Sequence, residues 1–130
     1  MIAYCWHSVP GYSKIGSYIG NLTQNSGTAG PCVYLGFRPA FILFKCTTNA
    51  ENWQIFDSVR NTFNPVNTNL SPNGTSEEGT NTAYNMDFLA NGFKLRNSTG
   101  NLNTLNNTFV YIAFAENPFG GENAPPGTAR

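Results

Sequence analysis

Short apolar runs with a period of two, each ended by Gly, Pro or Asn, are the feature that most constrains how this chain folds. Few segments are long and regular enough for an amphipathic helix, so the pattern predicts β-strands. The predicted strands cover residues 2–7, 15–20, 32–38, 40–47 and 109–116. The runs at 40–47 and 109–116 are apolar on both faces, which is typical of central strands that are covered on both sides.

The segment DFLANGFKLR predicts a β-hairpin. Two apolar runs flank Asn91-Gly92, a dipeptide that tolerates the positive φ angles of a type I′ turn. After the predicted turn, Phe93 and Leu95 alternate with polar residues, as expected for a half-buried strand.

The segment 49–63 fits both a helix and a strand, since it contains neither Gly nor Pro. Behind Asn49, a good helix cap, the large side chains at helical spacing are Trp53, Phe56, Arg60 and Phe63. A strand over residues 53–57 would instead place Trp53, Ile55 and Asp57 on one face. We predict the strand because the surrounding chain is rich in β-type runs.

Roughly eight short strands with two-sided central members predict an all-β fold, in which two antiparallel sheets pack face to face as a β-sandwich. We place this sandwich in residues 1–116, with a small barrel as the alternative. Residues 64–82 and 97–107 are rich in Asn, Ser and Thr and are predicted to be loops. Residues 117–130 contain three prolines and three glycines, which predicts an extended C-terminal tail.

The charge content excludes several classes of function. Seven Lys+Arg balance seven Asp+Glu, and only 11% of residues are charged. Without a basic cluster that would release counterions, we expect no nucleic-acid partner. No apolar run approaches the length of a membrane-spanning helix, so no membrane insertion is expected, and the N-terminus lacks the cationic region of a secretory signal. The expected surface carries amides and hydroxyls, from 19 Asn, 13 Thr and 8 Ser.

The three cysteines, Cys5, Cys32 and Cys46, are an odd number without CxxC spacing. They exclude a closed disulfide framework, and with one histidine, His7, they make a poor zinc set. We therefore interpret all three as small buried hydrophobic residues on strands. A single disulfide, Cys5–Cys32 or Cys32–Cys46, is the alternative.

No catalytic pattern emerges from the sequence. His7 would have to serve any Ser-His-Asp or Cys-His arrangement, and it lies near no nucleophile elbow or cysteine-protease signature. Glu77 and Glu78 lie in a predicted loop, where neighbours in sequence do not share one target. A calcium site formed by this loop with Asp87 or with backbone carbonyls is an alternative, although EF-hand spacing is absent. We expect a protein that is not an enzyme and that uses no cofactor or metal.

Amides, hydroxyls and aromatic rings together favour a neutral ligand. Asn, Gln and Thr side chains hydrogen-bond sugar hydroxyls as donors and acceptors, and Trp and Tyr rings stack on pyranose rings. The aromatic candidates for ligand contact are Trp6, Tyr12, Tyr18, Trp53 and Tyr84. Most aromatic residues of a sandwich belong to its core, and the same uncharged surface equally suits a subunit that packs against copies of itself.

Five strings follow one another along the chain: IAYCWHSVPGYSKIGSYIGN, GPCVYLGFRPAFILFK, NWQIFDSVRNTFNPVN, MDFLANGFKLR and YIAFAENPFGG. Over residues 2–121 the chain resembles a lectin-like, concanavalin-type domain that recurs in virion tail and appendage proteins of marine and other environmental tailed bacteriophages. The resemblance implies a jelly-roll or lectin-like sandwich.

Two motifs of that family have counterparts here. Its Gly-Phe-Arg-Pro is matched by residues 36–39, and its Trp…Asp…Arg pattern is matched by Trp53, Asp57 and Arg60. The resemblance makes Arg38 and these three residues candidate ligand contacts. The alternative is structural: Asp57 and Arg60 pair, and Arg38 with Pro39 forms a corner between strands.

The resemblance also implies a location on the phage particle. We expect a tail-fibre or appendage module that binds a host-surface glycan, and the alternative is a capsid decoration or cement protein that packs on the phage head. Both predict a homo-oligomer, with a trimer as the common order in such assemblies. Because residues 2–6 echo the strand at 112–116, we expect such units to be joined in series or to form part of a longer gene product.

Overall fold

The computed structural model of the chain describes residues 1–21, 29–96 and 100–118. These ranges contain nine strands and two single-turn helices. The strands are β1 (Ser13–Ile19), β2 (Cys32–Tyr34), β3 (Pro39–Cys46), β4 (Gln54–Asp57), β5 (Thr68–Asn69), β6 (Gly79–Thr80), β7 (Met86–Leu89), β8 (Gly92–Leu95) and β9 (Thr108–Ala115). The helices are a 3-10 turn (Thr82–Tyr84) and α1 (Gly100–Asn103).

Two antiparallel sheets form the body of the fold. The larger sheet has the order β1-β9-β3-β4 and the smaller has the order β2-β8-β7, while β5 and β6 form a separate short ladder. All paired strands are antiparallel. The end strands β1 and β4 of the larger sheet do not pair with each other. The fold is therefore the predicted all-β sandwich and not the alternative barrel.

Aromatic rings from both sheets fill the space between them. Phe93 of β8 lies edge-to-face with Phe44 of β3 at 5.3 Å and with Tyr111 of β9 at 5.6 Å between ring centroids. Phe56 of β4 packs edge-on against Phe44 at 5.9 Å. Phe44, Phe56 and Phe93 are fully buried, and burial of each such side chain contributes about 1.5–3 kcal/mol.

The runs that are apolar on both faces are the central strands, as predicted. β3 and β9 are neighbours in the middle of the four-stranded sheet. The run predicted at residues 15–20 is β1, and the ambiguous segment contains β4, as the predicted strand requires. The segment forms a strand and not a helix because β4 pairs with β3, from Phe41↔Asp57 to Phe44↔Gln54.

The predicted hairpin exists, but its turn lies one residue earlier than predicted. The pairing of β7 with β8 closes at Leu89↔Gly92, so the turn residues are Ala90 and Asn91. Neither has a positive φ, and the prediction of a type I′ turn is wrong. Gly92 instead begins β8, where a Cβ would lie 2.0 Å from the carbonyl oxygen of Val33. The close approach of β2, and not the turn, requires glycine at this position.

The strand predicted at residues 2–7 does not form. An antiparallel bridge between Val9 and Ser13 starts a hairpin with β1, but the next β1 amide, of Ile15, donates to the Ser8 hydroxyl oxygen at 3.0 Å. The Ser13 hydroxyl donates to the carbonyl of His7 at 3.1 Å. Serine side chains therefore form the hydrogen bonds that backbone groups would form in a ladder between this segment and β1. Residues 1–8 are exposed.

The strand predicted at residues 32–38 is shorter than predicted. β2 ends at Tyr34, and Gly36, with a φ of 87°, turns the chain toward β3. The positive φ explains why glycine stands at this corner.

The interpretation of all three cysteines as buried strand residues is wrong. Cys46 is buried on β3, whereas Cys32 on β2 and Cys5 in the N-terminal segment are exposed. Cys5 is exposed because the predicted strand at residues 2–7, to which it would belong, does not form. All three are free thiols, so neither alternative disulfide is present.

The predicted loops carry short regular elements. Residues 64–82 contain the β5–β6 ladder, in which the Thr68 and Thr80 hydroxyls lie 3.0 Å apart. Residues 97–107 contain α1, whose Leu102 is fully buried. Residues 97–99 and the part of the predicted tail that follows Pro118 lie outside the described residues.

Candidate functional site

The outer face of the four-stranded sheet, which points away from the three-stranded sheet, is apolar. The register places Ile15, Ile112, Leu43 and Ile55 side by side in one row across β1, β9, β3 and β4. All four are half-buried. The solvent side of an antiparallel sheet is commonly polar, so an apolar row across the whole sheet makes this face a candidate contact surface.

A hollow of about 280 Å³ opens on this face beside β3 and β4. The residues that line this Trp53 hollow are Leu43, Trp53, Pro72 and Asn73. Trp53 immediately precedes β4 and is half-buried. The Lys45 ammonium lies 6.0 Å from the centroid of the Trp53 ring and donates to the carbonyl of Glu51. A cation over an aromatic face is attracted by the ring quadrupole, which fixes the orientation of the indole.

Two asparagine side chains border the Trp53 indole. The backbone N–H of Trp53 donates to Asn73 Oδ1 at 3.0 Å, and Asn73 Nδ2 donates to Asn52 Oδ1 at 3.1 Å. These hydrogen bonds fix both amides, and each carbonyl oxygen keeps a second lone pair. The hollow therefore combines an apolar ring with fixed polar groups at its rim.

Gln54 and the edge of β4 hold the segment that forms one wall of the Trp53 hollow. Gln54 is only 2% exposed, and its Oε1 accepts from Asn69 Nδ2 at 2.7 Å and from the Ser71 hydroxyl at 3.4 Å. Ile55 and Leu70 exchange two backbone hydrogen bonds, of 2.8 and 3.1 Å. Residues 69–73, which supply two lining residues, are thereby fixed against β4.

A second hollow, of about 540 Å³, lies at the other end of β3 and β4. The residues that line this Arg60 hollow are Ala40, Phe41, Asp57, Val59, Arg60 and Glu78. Asp57 ends β4, and its Oδ1 accepts from the backbone N–H groups of Val59 at 3.0 Å and of Arg60 at 2.7 Å. The Arg60 guanidinium pairs with Asp57 Oδ2 and donates from Nε to Glu78 Oε2 at 2.7 Å.

The Arg60 hollow holds one cation between two carboxylates. The hydrogen bond to Glu78 raises the pKa of Arg60 further above its ordinary value, burial opposes this, and the charges of Asp57 and Glu78 add to it. The cluster keeps one excess negative charge when both carboxylates are ionised, so it repels anionic ligands.

An aromatic ridge, formed by Trp6, Tyr12 and Phe114, rises at the β1–β9 side of the outer face. Phe114 of β9 lies 6.1 Å from Trp6 and 5.8 Å from Tyr12 between ring centroids. Trp6 is 58% exposed and Tyr12 is 36% exposed. Both predicted contact residues therefore present ring surface to solvent.

Trp53 and Asp57 lie on one side of β4, as the predicted strand requires, and Arg60, which follows the strand, pairs with Asp57. They do not form one site, because Trp53 belongs to one hollow while Asp57 and Arg60 belong to the other. Four residues along a strand separate Trp53 from Asp57 by roughly 13 Å. The structural alternative for Asp57 and Arg60 also holds, since the two side chains pair.

Arg38 and Tyr18 have structural roles. Arg38 Nη1 donates to the carbonyl of Phe88 at 2.8 Å and Arg38 Nε pairs with Glu116 at 2.9 Å, so this side chain ties β7 to the end of β9. Tyr18, another predicted ligand contact, lies between the two sheets. Its ring is 9% exposed inside the core, and its hydroxyl donates to the carbonyl of Leu102 at 2.8 Å.

Sequence reasoning missed the residues that complete both hollows. Asn73 meets Trp53 across 20 residues, and Glu78 meets Arg60 across 18 residues. Both partners come from the predicted loop at 64–82, whose density of Asn was the available signal. A loop lacks the periodicity that would place its residues against a given strand.

The described ranges contain no group of three or more His, Cys, Asp and Glu side chains arranged to hold a metal ion. Neither of the single-turn helices in these ranges has the length or the apolar composition to cross a membrane.

A family model matches residues 1–118 of the chain. The chain therefore belongs to the family described as Domain of unknown function (DUF7483). No curated protein and no solved structure matches the chain.

Proposed function

We propose that this member of the DUF7483 family is a non-enzymatic surface module of a bacteriophage particle, carried on a tail fibre or another appendage, that binds a neutral host-surface glycan in the Trp53 hollow. The observation that carries the proposal is a half-buried indole bordered by fixed amides. The phage setting rests on the sequence resemblance over residues 2–121, and the class of ligand rests on the chemistry of the hollow.

The Trp53 indole supplies the stacking surface. The C–H face of a pyranose ring packs on an aromatic face as other apolar groups do, and Leu43 and Pro72 extend this apolar floor. The sugar hydroxyls then point to the rim, where Asn73 and Asn52 lie. Amide oxygens accept and amide nitrogens donate, so a sugar hydroxyl can be paired both as a donor and as an acceptor.

The dimensions of the Trp53 hollow fit one sugar unit. Its volume of about 280 Å³ is slightly below the roughly 300–1,000 Å³ that holds drug-sized ligands. One stacked ring in a shallow site gives weak binding, so strong attachment to a cell requires several sites acting together.

The charge pattern favours a neutral over an anionic sugar. None of the lining residues of the Trp53 hollow is charged. The nearest described cation, Lys45, already contacts the Trp53 ring and the Glu51 carbonyl. Toward the other end of β4, the Arg60 cluster carries one excess negative charge.

The ion pairs of the two carboxylates near the hollows support binding without hydrolysis of the sugar. Glycoside hydrolysis commonly needs two carboxyl groups that flank the scissile bond. The two carboxylates at the outer-face hollows, Asp57 and Glu78, are both held by Arg60. Release of reducing sugar from host polysaccharide by the purified protein would contradict this part of the proposal.

A glycan array of neutral and acidic oligosaccharides, followed by fluorescence titration of the best neutral oligosaccharide, tests the proposal. The chain has two tryptophans, so the emission of the Trp6→Phe variant reports Trp53 alone. We expect the sugar to shift this emission and Trp53→Ala to lose binding by at least about tenfold, a typical effect at an aromatic hot spot.

The matched control is Trp6→Ala, which removes the other tryptophan and leaves the hollow intact. This variant should bind the oligosaccharide within about twofold of the unmodified chain. An array without any bound glycan, or equal binding by Trp53→Ala and the unmodified chain, would refute glycan binding in the Trp53 hollow.

A structural role on the phage head is the second candidate, favoured by the apolar row across the outer face. A capsid decoration protein must bury surface against other subunits, and this row is suited to that contact. Cryo-electron microscopy of the phage particle separates the candidates: a regular lattice position on the head supports decoration, and a position on an appendage supports host attachment.

A further inference from the structure

We infer that the β1–β9 half of the outer face is an interface between two copies of this chain. This β1–β9 patch consists of Ile15, Ile19, Val110, Ile112 and Phe114, with Trp6 at its border. It lies on the same face as the Trp53 hollow but at the opposite end of the sheet from β4, beside which the hollow opens.

The composition of the β1–β9 patch argues for an apolar partner. Ile15 faces Ile112 directly across β1 and β9, Val110 follows in the next outer row, and Ile19 is 63% exposed. Ser17 and Thr108 are the hydroxyl side chains in these rows. Lys14 is on the other side of β1, where its ammonium donates to the Tyr34 carbonyl. Lys45 lies opposite Val110 on β3 and contacts the Trp53 ring and the Glu51 carbonyl. A contact confined to β1 and β9 therefore buries no charged side chain of these two strands.

The N-terminal segment enlarges this patch. Trp6 contacts Phe114 at 6.1 Å between centroids, which holds the segment next to the patch. Ile2, Tyr4 and Trp6 are 81%, 82% and 58% exposed. The segment that Trp6 holds next to Phe114 therefore exposes three large apolar side chains.

The available area suits a modest dimer. Two strands of this length cover roughly 25 Å by 10 Å of flat surface, or about 250 Å². Tyr4 and Trp6 are 82% and 58% exposed, so their exposed parts add roughly 100–200 Å² each. The sum, roughly 450–650 Å², is below the roughly 800 Å² that each partner buries in a standard interface, so we expect a weak, reversible dimer.

A second copy is the partner that these features favour. A two-fold axis brings the same patch together from both sides, so an apolar surface meets an apolar surface. The chain has a formal net charge of +0, so two copies do not repel each other over long range. The dimer would leave both Trp53 hollows open. That it then presents two sugar sites rests on the proposed function, whereas the interface itself does not.

Sedimentation equilibrium of the whole chain over a range of concentrations tests the interface. We expect a monomer–dimer equilibrium, and we expect Ile19→Glu to weaken the dimer by at least about tenfold because it buries a charge at the contact. Ile19 is already 63% exposed, so this variant should fold, and its circular dichroism and thermal unfolding check that it does.

The matched control is Phe63→Glu, because Phe63 is 84% exposed and its neighbour Asn64 is hydrogen-bonded to Phe88 of β7, in the other sheet. This variant should dimerise as the unmodified chain does. A chain that is monomeric up to about 200 μM would overturn the inference, and so would a folded Ile19→Glu variant that dimerises normally. A dimer that binds no glycan would refute the proposed function and leave the interface in place.

Discussion

Gln54 joins the core of the sandwich to the Trp53 hollow, and the variant Gln54→Met tests that connection. Methionine preserves the length and volume of the side chain but lacks its amide. In the native structure Gln54 Oε1 accepts from Asn69 Nδ2 at 2.7 Å and from the Ser71 hydroxyl at 3.4 Å. The substitution therefore removes the side-chain tie to residues 69–73 and keeps β4 packed.

The magnitude follows from these two hydrogen bonds. The contact at 3.4 Å is near the limit of hydrogen bonding and contributes little. Loss of the 2.7 Å contact leaves a partly buried Asn69 donor without an acceptor, which costs about 1–3 kcal/mol. We expect the free energy of unfolding to fall by about 2 kcal/mol, which lowers the Tm of a domain of this size by roughly 6–10 °C.

Urea unfolding measures this change, and a double-mutant cycle with Asn69→Ala assigns it. Because both single variants remove the same hydrogen bond, the double variant should be more stable than additivity predicts by about 1 kcal/mol. Under the proposed function, Gln54→Met should also weaken sugar binding several-fold without touching the sugar, since Pro72 and Asn73 lose their support. Strict additivity, or an unchanged urea midpoint for Gln54→Met, would refute this reasoning.

Two further predictions concern the core. Burial raises the pKa of the Tyr18 hydroxyl well above its ordinary value, so the folded chain holds this proton more tightly than the unfolded chain. The contribution of Tyr18 to the free energy of unfolding is therefore complete below about pH 10 and declines as the pH rises further. Tyr18→Phe removes the hydrogen bond to Leu102, so its free energy of unfolding at neutral pH should be lower by about 1 kcal/mol, and its stability should decline less at alkaline pH. Urea unfolding at a series of pH values measures both effects. An equally steep alkaline decline in the variant would contradict the assignment to Tyr18. Gly92→Ala places a Cβ 2.0 Å from the Val33 carbonyl oxygen and should cost about 3 kcal/mol or more by forcing β2 from β8. Gly79→Ala, whose Cβ would meet nothing within 4 Å, should change thermal stability by less than about 1 kcal/mol, and equal effects of the two glycine variants would argue against the steric explanation.

The centre of the fold could be predicted because its signal is periodic and local. The runs that became β3 and β9 are apolar at consecutive positions, a pattern that is typical of the central strands of a sheet. The failed predictions concern places where side chains replace the ladder. Ser8 and Ser13 take hydrogen bonds beside β1 and release the N-terminal segment, and nothing in the alternation of residues 2–7 reveals that competition.

The candidate site was predictable only in part, for the same physical reason. A strand over residues 53–57 was enough to place Trp53 and Asp57 on one side of β4. Their partners Asn73 and Glu78 come from a long polar loop, where contacts depend on how the loop folds back and not on any repeat. Tyr18 lies in the core, which the sequence does not reveal, because an aromatic residue on a strand has the same alternation pattern whether it faces the core or the solvent.

The apolar outer face connects the two proposals. A sandwich needs one apolar face per sheet, so the row of Ile15, Ile112, Leu43 and Ile55 is hydrophobic surface beyond what this core uses. Over β4 the segment 69–73 partly covers that surface and creates the Trp53 hollow, whereas over β1 and β9 the described chain supplies only Trp6 and its neighbours. A second copy on the β1–β9 patch would cover the remainder and fix two shallow sugar sites at a constant separation. Linked weak sites gain about 10²–10⁴ in avidity when one surface can occupy both, so the dimer interface and not the single hollow would determine how firmly the protein attaches to a cell.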